Sequence, residues 1–212
     1  MKKYENFKYI FPPRPELKIS PDILGKYDCG VYLGQPKLNG SLCEVFMNET
    51  ETKVFNRHNA NFKIFKFDID EFRNLYQGFG WMCLCGEFMN KAKKDKDGKN
   101  SFDQTFVIFD IIIKDGMHLV KTTFEERVKM LDEMYGTKEY DEYLLDVDSP
   151  NVFRVKTFYT DFVNLWNNIV KIDMLEGLVL KRKDGLLEDG VREKNTVGSQ
   201  VKVRKSCRNY SF

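Results

Sequence analysis

The 212-residue chain is 42% hydrophobic and 31% charged, with a formal net charge of +2. That composition excludes a disordered chain and fits one sizeable domain, or a domain with a small appendage. The near balance of charge excludes a surface that is basic throughout, so any nucleic-acid face has to be local.

The first stretch, residues 1–28, carries Phe11-Pro12-Pro13-Arg14-Pro15 and is expected to be extended, wrapping over a main domain of residues 29–212. From Val31 the pattern turns strand-like. Leu42–Met47 and Lys53–Arg57 are short runs around a polar turn, the pattern of a hairpin. Ile69, Phe72 and Tyr76 form a helical stripe behind the acidic start at Asp68. Trp81–Met89 and Thr105–Ile113 are the strongest strand candidates, and the charged stretch Lys91–Asn100 between them reads as a solvated loop.

Thr123-Phe124-Glu125-Glu126 has the form of a capping box, and the helix it starts presents Phe124, Val128, Leu131 and Tyr135 on one face. A second helix starts near Thr160-Asp161 and buries Phe162, Leu165, Trp166 and Ile169. Strands recur at Gly177–Arg182 and Gln200–Arg204, separated by a loop over Lys183–Val197. The sum is an α+β chain built on antiparallel sheets with flanking helices.

No apolar run approaches the roughly 18–20 residues that cross a bilayer. Met1–Asn6 is charged and lacks the apolar segment of a signal peptide, so cytoplasmic residence is expected. The five cysteines are odd in number and irregularly spaced, which argues against a disulfide framework. Cys83-Leu84-Cys85 could hold a metal, but the sequence offers no second cysteine or histidine pair beside it, and buried thiols are expected.

Several charged residues lie where a functional reading competes with a bland one. Lys37 stands in Gln35-Pro36-Lys37-Leu38-Asn39-Gly40; taken alone, Lys-x-Asn-Gly is a common surface turn. Lysine is a nucleophile only when neutral, which requires a pocket that lowers its ordinary pKa of about 10.4. Arg57 ends a strand and could be a surface arginine, whereas Glu87, after Gly86 on an apolar strand, needs a partner because a buried carboxylate is costly. Phe109, in Phe106–Ile111, fits a core position. Glu176 and Lys181 bracket Gly177–Leu180, which a buried strand with charged ends would also explain. Lys202 and Arg204 fall on one face of a strand, where two cations repel unless an anion lies between them.

The ordered set Lys37-x-Asn-Gly, Asn56-Arg57, Gly86-Glu87, Phe109-Asp110, Glu176-Gly-Leu-Val-Leu-Lys181 and Lys202-Val-Arg204 resembles the motifs of the covalent nucleotidyltransferases: ATP-dependent DNA and RNA ligases and the mRNA capping enzymes. The resemblance implies a ligase-type adenylation domain of the minimal phage or viral kind. In that reading Lys37 attacks the α-phosphate of ATP and becomes a lysyl–AMP phosphoramidate. Gln35, Arg57, Glu87, Phe109, Lys181, Lys202 and Arg204 bind the nucleotide, with Arg57 and Glu87 at the ribose and Phe109 stacked on the purine. Lys181, Lys202 and Arg204 lie along the phosphates. Glu176 supports Mg²⁺, with Mn²⁺ as a substitute, and Asp110 approaches the metal or braces Lys37.

The implied activity joins 5′-phosphate and 3′-hydroxyl ends, leaning toward nicks in DNA. The implied partner is broken nucleic acid, the implied state a monomer, and the implied compartment the cytoplasm, a host's if the enzyme is viral. Three features depart from the pattern. Asn39 replaces the commonest aspartate, Arg204 stands where many relatives have a second lysine, and no Arg-x-Asp-Lys element of a following OB-fold domain occurs. RNA ligation is therefore the alternative, with a capping guanylyltransferase or a non-catalytic nucleic-acid-binding module behind it.

Overall fold

The computed structural model describes residues 1–90, 94, 97–98 and 102–206. Its strands and helices in chain order are β1 (Lys2–Lys3), β2 (Arg14–Lys18), β3 (Tyr32–Leu38), β4 (Ser41–Met47), β5 (Thr52–Asn56), β6 (Met82–Met89), β7 (Thr105–Lys114) and β8 (Met117–His118). Then follow α1 (Phe124–Tyr135), β9 (Leu144–Asp146), β10 (Val152–Val155), α2 (Phe162–Ile169), β11 (Leu175–Arg182) and β12 (Thr196–Arg204).

Two sheets organise the chain. The larger runs β1-β8-β7-β6-β4-β5, with β10 and β9 added alongside β7; the smaller runs β2-β12-β11-β3. Most pairs are antiparallel, as expected, but β10 pairs with β7 and β2 pairs with β12 in parallel. The expected hairpin forms from β4 and β5, with Val45 opposite Val54. One apolar cluster gathers on the large sheet around Phe46, Phe88 and Ile111. A second, with Val107, Phe162 and Leu178, joins the large sheet to α2 and the small sheet.

The helix starts follow local chemistry. Thr123 and Glu126 form the reciprocal capping box before α1. Asp161 before α2 instead takes a left-handed backbone (φ 64°) and makes no side-chain cap bond. The stripe after Asp68 is a short 3-10 helix, Ile69–Leu75, in which the Asp68 carboxylate accepts from the Asp70 amide. The N-terminal segment touches both sheets: β1 pairs with β8, the Phe11 amide donates to the Gly190 carbonyl, and β2 pairs with β12. It is not extended throughout, because Pro21–Tyr27 forms a 3-10 helix. The expected loop over Lys91–Asn100 falls almost wholly outside the described residues. Among the described residues no helix is long and apolar enough to cross a membrane.

The chain crosses from the small sheet to the large one immediately after Lys37. Asn39 donates its amide to the Met174 carbonyl at 2.9 Å. At Gly40 a Cβ would lie 2.5 Å from the Phe88 carbonyl oxygen, so only glycine allows the chain this close to β6. The turn thereby fixes the end of β3 against both sheets.

Candidate nucleotide-binding site

A cavity of about 620 Å³ opens between the two sheets, large enough for a nucleotide-sized ligand. Gln35, Lys37, Arg57, Glu87, Phe109, Glu176, Lys181, Lys202 and Arg204 all line it, so the structure gathers every expected site residue into one place.

The small sheet supplies one wall as three rungs. Lys37, Gly177 and Arg204 lie abreast; Gln35, Val179 and Lys202 form the next rung; Leu33, Lys181 and Gln200 the third. Residues abreast in a sheet project to the same face, so the strand register alone brings these side chains together. Gly177 leaves the space between Lys37 and Arg204 open. Its φ is +155°, and a Cβ there would lie 1.9 Å from the Val203 carbonyl oxygen. The adjoining irregularity between Leu175 and Gly177 turns Glu176 toward the same opening. Glu176 is buried; one carboxylate oxygen pairs with the Lys37 ammonium, and the other accepts from Arg204 at 2.7 Å.

The large sheet supplies the facing wall. The Glu87 carboxylate accepts from the Gly40 amide at 3.1 Å. Burial pushes its pKa up to about 7; the Lys37 charge opposes that rise and the Glu176 charge adds to it. Lys202 is shifted the other way: burial lowers its pKa, as do the charges of Arg204 and Lys37, while Glu176 opposes them. Five charged groups, Lys37, Glu87, Glu176, Lys202 and Arg204, lie within reach of one another, and two of them have shifted titrations, which makes the cavity a candidate site for a charged ligand.

Beyond this end lies a second, drier group. Asp110 takes a bidentate pair from Arg127, at 2.7 and 3.1 Å, and Lys181 stands 3.6 Å away. Burial would raise the Asp110 pKa, but the two cations outweigh it and hold the carboxyl below its ordinary range. Burial pulls Lys181 down to about 8 despite Asp110. The Lys181 ammonium also sits 5.2 Å from the Phe109 ring centre and 4.3 Å from that of Phe124. One expectation is corrected here. Asp110 does not brace Lys37; its carboxylate is taken by Arg127 and Lys181. Lys181, expected along the phosphates, lines the cavity with its ammonium paired to Asp110 and set against the aromatic rings, so no single group holds it alone.

Phe109 is only partly covered and lines the cavity, and its carbonyl accepts from the Gln35 side-chain amide at 3.3 Å. Gln35 also donates to Thr157 Oγ1 at 3.2 Å. Arg57 lines the mouth, where its Nε meets His58 Nε2 at 3.0 Å and its carbonyl accepts from Arg14 at 3.0 Å. The sequence reading missed Arg127. Its signal was a charged residue at the third position after Phe124, inside the apolar stripe Phe124-Val128-Leu131, where only a buried partner explains it.

Residues 76–197 match the family model described as ATP dependent DNA ligase domain. Sequence comparison with curated proteins gives no match. Among solved structures, the chain is similar to a mycobacterial DNA ligase D complexed with ATP and MES, at 16% identity and a TM-score of 0.65, over 93% of this chain and 62% of that one. The ligase domain of M. tuberculosis LigD is similar at 16% identity and a TM-score of 0.61, over 93% of this chain and 61% of that one. A Lig E DNA ligase, from work on DNA binding with a minimal scaffold, gives 16% identity and a TM-score of 0.53, over 89% of this chain and 68% of that one. The chain thus spans about three fifths of the two LigD structures. These likenesses concern the fold; the family match takes in more than half of the sequence, and the chain belongs to the ATP-dependent DNA ligase domain family.

Proposed function

We propose that the protein is an ATP-dependent ligase that seals nicks in DNA through a nucleotide carried on Lys37. The observation that carries this reading is the placement of the Lys37 ammonium in a nucleotide-sized cavity, paired with Glu176 and facing Glu87, Lys202 and Arg204. Phe109 gives the base an aromatic platform. Lys202 and Arg204 receive the phosphates, and Glu87 and Arg57 stand on the side of the ribose. The motif set and the family match support DNA as the strand.

Lys37 attacks as the free amine, so one proton leaves the Lys37–Glu176 pair first. The nitrogen then bonds to the α-phosphorus of ATP, the bond to the bridging oxygen breaks, and pyrophosphate leaves; a second proton leaves the nitrogen. Lys202 and Arg204 stabilise the charge that gathers on the leaving oxygens. An oxygen of the 5′-phosphate at the nick next displaces the Lys37 nitrogen, which regains its proton. The 3′-hydroxyl finally attacks the activated 5′-phosphorus, losing its proton and releasing AMP.

The residues present fit a magnesium ion, because Glu176 offers hard carboxylate oxygens beside Lys37 and Arg204, where the phosphates of a bound nucleotide would lie. Held there, Mg²⁺ would neutralise phosphate charge.

Incubation with α-labelled ATP and Mg²⁺ is expected to leave label on the wild-type protein and none on Lys37→Ala. A wild type that takes no label overturns the reading. Sealing assays on nicked DNA and nicked RNA with ATP, GTP and NAD⁺ in parallel separate DNA from RNA ligation and ATP from the other nucleotides.

A further inference from the structure

Outside the cavity, one cluster of potential ligands has no part in the chemistry above. Glu44 on β4 lies abreast of Cys85 on β6, and Phe46 abreast of Cys83, so the carboxylate and both thiols share one face of the large sheet. One ligand atom from each of Glu44, Cys83 and Cys85 lies within 4.8 Å of the other two. All three residues are fully buried. Sequence spacing did not disclose the group, because its third member comes from the neighbouring strand.

The Glu44 carboxylate is poorly matched to its surroundings. Its Oε1 accepts from the Cys85 thiol at 3.4 Å, while Oε2 has no hydrogen-bond partner among the described residues. The Tyr9 hydroxyl is near the carboxylate but donates to the Asn56 carbonyl at 2.8 Å. A carboxylate buried this way needs a proton or a cation. The pairing of β6 with β7 also slips twice, between Cys83 and Leu84 and between Cys85 and Gly86, so an irregularity follows each cysteine. Such irregularities re-aim side chains and are over-represented where a strand serves a purpose beyond pairing.

We propose that Glu44, Cys83 and Cys85 form a binding site for a thiophilic divalent cation, zinc, set between β4 and β6. Two thiolates and a carboxylate are zinc ligands and fill three of its four tetrahedral positions, leaving the fourth to a water. Ligands held about 2.3 Å (sulfur) and about 2.0–2.2 Å (oxygen) from a tetrahedral ion lie roughly 3.5 Å apart, and the Cys85–Glu44 separation of 3.4 Å already matches. Zinc enters as both thiols and Glu44 give up their protons, and the doubly charged ion together with the nearby Arg14 charge offsets the three anionic ligands. The site lies outside the residues lining the cavity and does not depend on the ligase reading.

The full-length protein, stripped with chelator under reducing conditions, is loaded with zinc alone and passed through gel filtration. About one tightly held zinc per chain is expected, with a rise in thermal midpoint. Cobalt in place of zinc should give a near-ultraviolet thiolate-to-cobalt band, lost in C83S/C85S and altered in E44Q. Lys37→Ala, which leaves the cluster intact, should bind zinc as the wild type does. A wild type that retains no zinc and shows no such band overturns the proposal and leaves Glu44 protonated, whether or not the cysteine variant folds. A band that survives in a folded C83S/C85S also overturns it, since the ion then sits on other cysteines.

Discussion

The two ends of the cavity carry similar charges but use them differently. At the open end Lys37, Glu176 and Arg204 pair with one another while remaining reachable, with the Lys37 side chain 24% exposed and that of Arg204 30%. At the closed end Asp110, Arg127 and Lys181 are each under 5% exposed and satisfy one another. An incoming phosphate can exchange partners with the first group, because water and ligand compete there on similar terms. It cannot do so with the second, where removing one charge strands another in a dry interior. In the proposed function the same residue types therefore serve as reagents at one end and as scaffold at the other.

The largest expected effect tests the scaffold end. Arg127→Ala should destabilise the protein by about 3–5 kcal/mol, as does breaking a buried pair from one side. Urea unfolding measures it. Replacing both partners, Arg127→Met with Asp110→Leu, should recover much of that loss, since a volume-matched apolar pair leaves only Lys181 to be resettled. If the double variant is as unstable as the single one, packing and not charge explains the position.

The reagent end should respond in the opposite way. Glu176→Gln is expected to lower the rate of labelling by ATP about 10²–10³-fold, the usual cost of losing one transition-state electrostatic partner. Its unfolding free energy should move by under about 1 kcal/mol, because the substituted side chain is neutral and the two cations it leaves, Lys37 and Arg204, reach solvent. A variant that labels normally, or one that unfolds as readily as Arg127→Ala, would erase the distinction between the ends.

The difference also decides what could be read in advance. Lys37, Glu176, Lys202 and Arg204 stand in short local patterns, and period-two spacing puts Lys202 and Arg204 on one strand face; the register that sets them beside Lys37 was not in those patterns. The Thr123–Glu126 cap was equally legible, because its partners are three residues apart. Partnerships across long separations were not. Asp110 meets Arg127 from another element, and Lys181 joins them from a third. Glu44 joins Cys83 and Cys85 only through the pairing of β4 with β6. Local patterns name the residue types, whereas burial selects among the partners available to a charge.

His118 shows a third way to keep an ionisable group in the interior. It is 4% exposed, its Nε2 has no hydrogen-bond partner among the described residues, and its Nδ1 lies 3.8 Å from Asp189. Burial lowers its pKa from 6.5 to about 4; Asp189 opposes that shift, and Lys2 and the N-terminal amine reinforce it. The folded state therefore binds fewer protons than the unfolded one between these values. The stability this contributes is complete above about pH 6.5 and drains away as pH falls toward about 4, amounting to about 3 kcal/mol. His118→Gln removes the titration, so its loss of stability across that window should be smaller than the wild type's by about that amount. The chain has two histidines, His58 and His118, and His58 is exposed, so the two ring signals can be told apart by NMR and followed through the same window. A His118 ring that takes up its proton near pH 6.5 would mean that burial at this position is relieved by Asp189, placing it with the paired charges of the closed end.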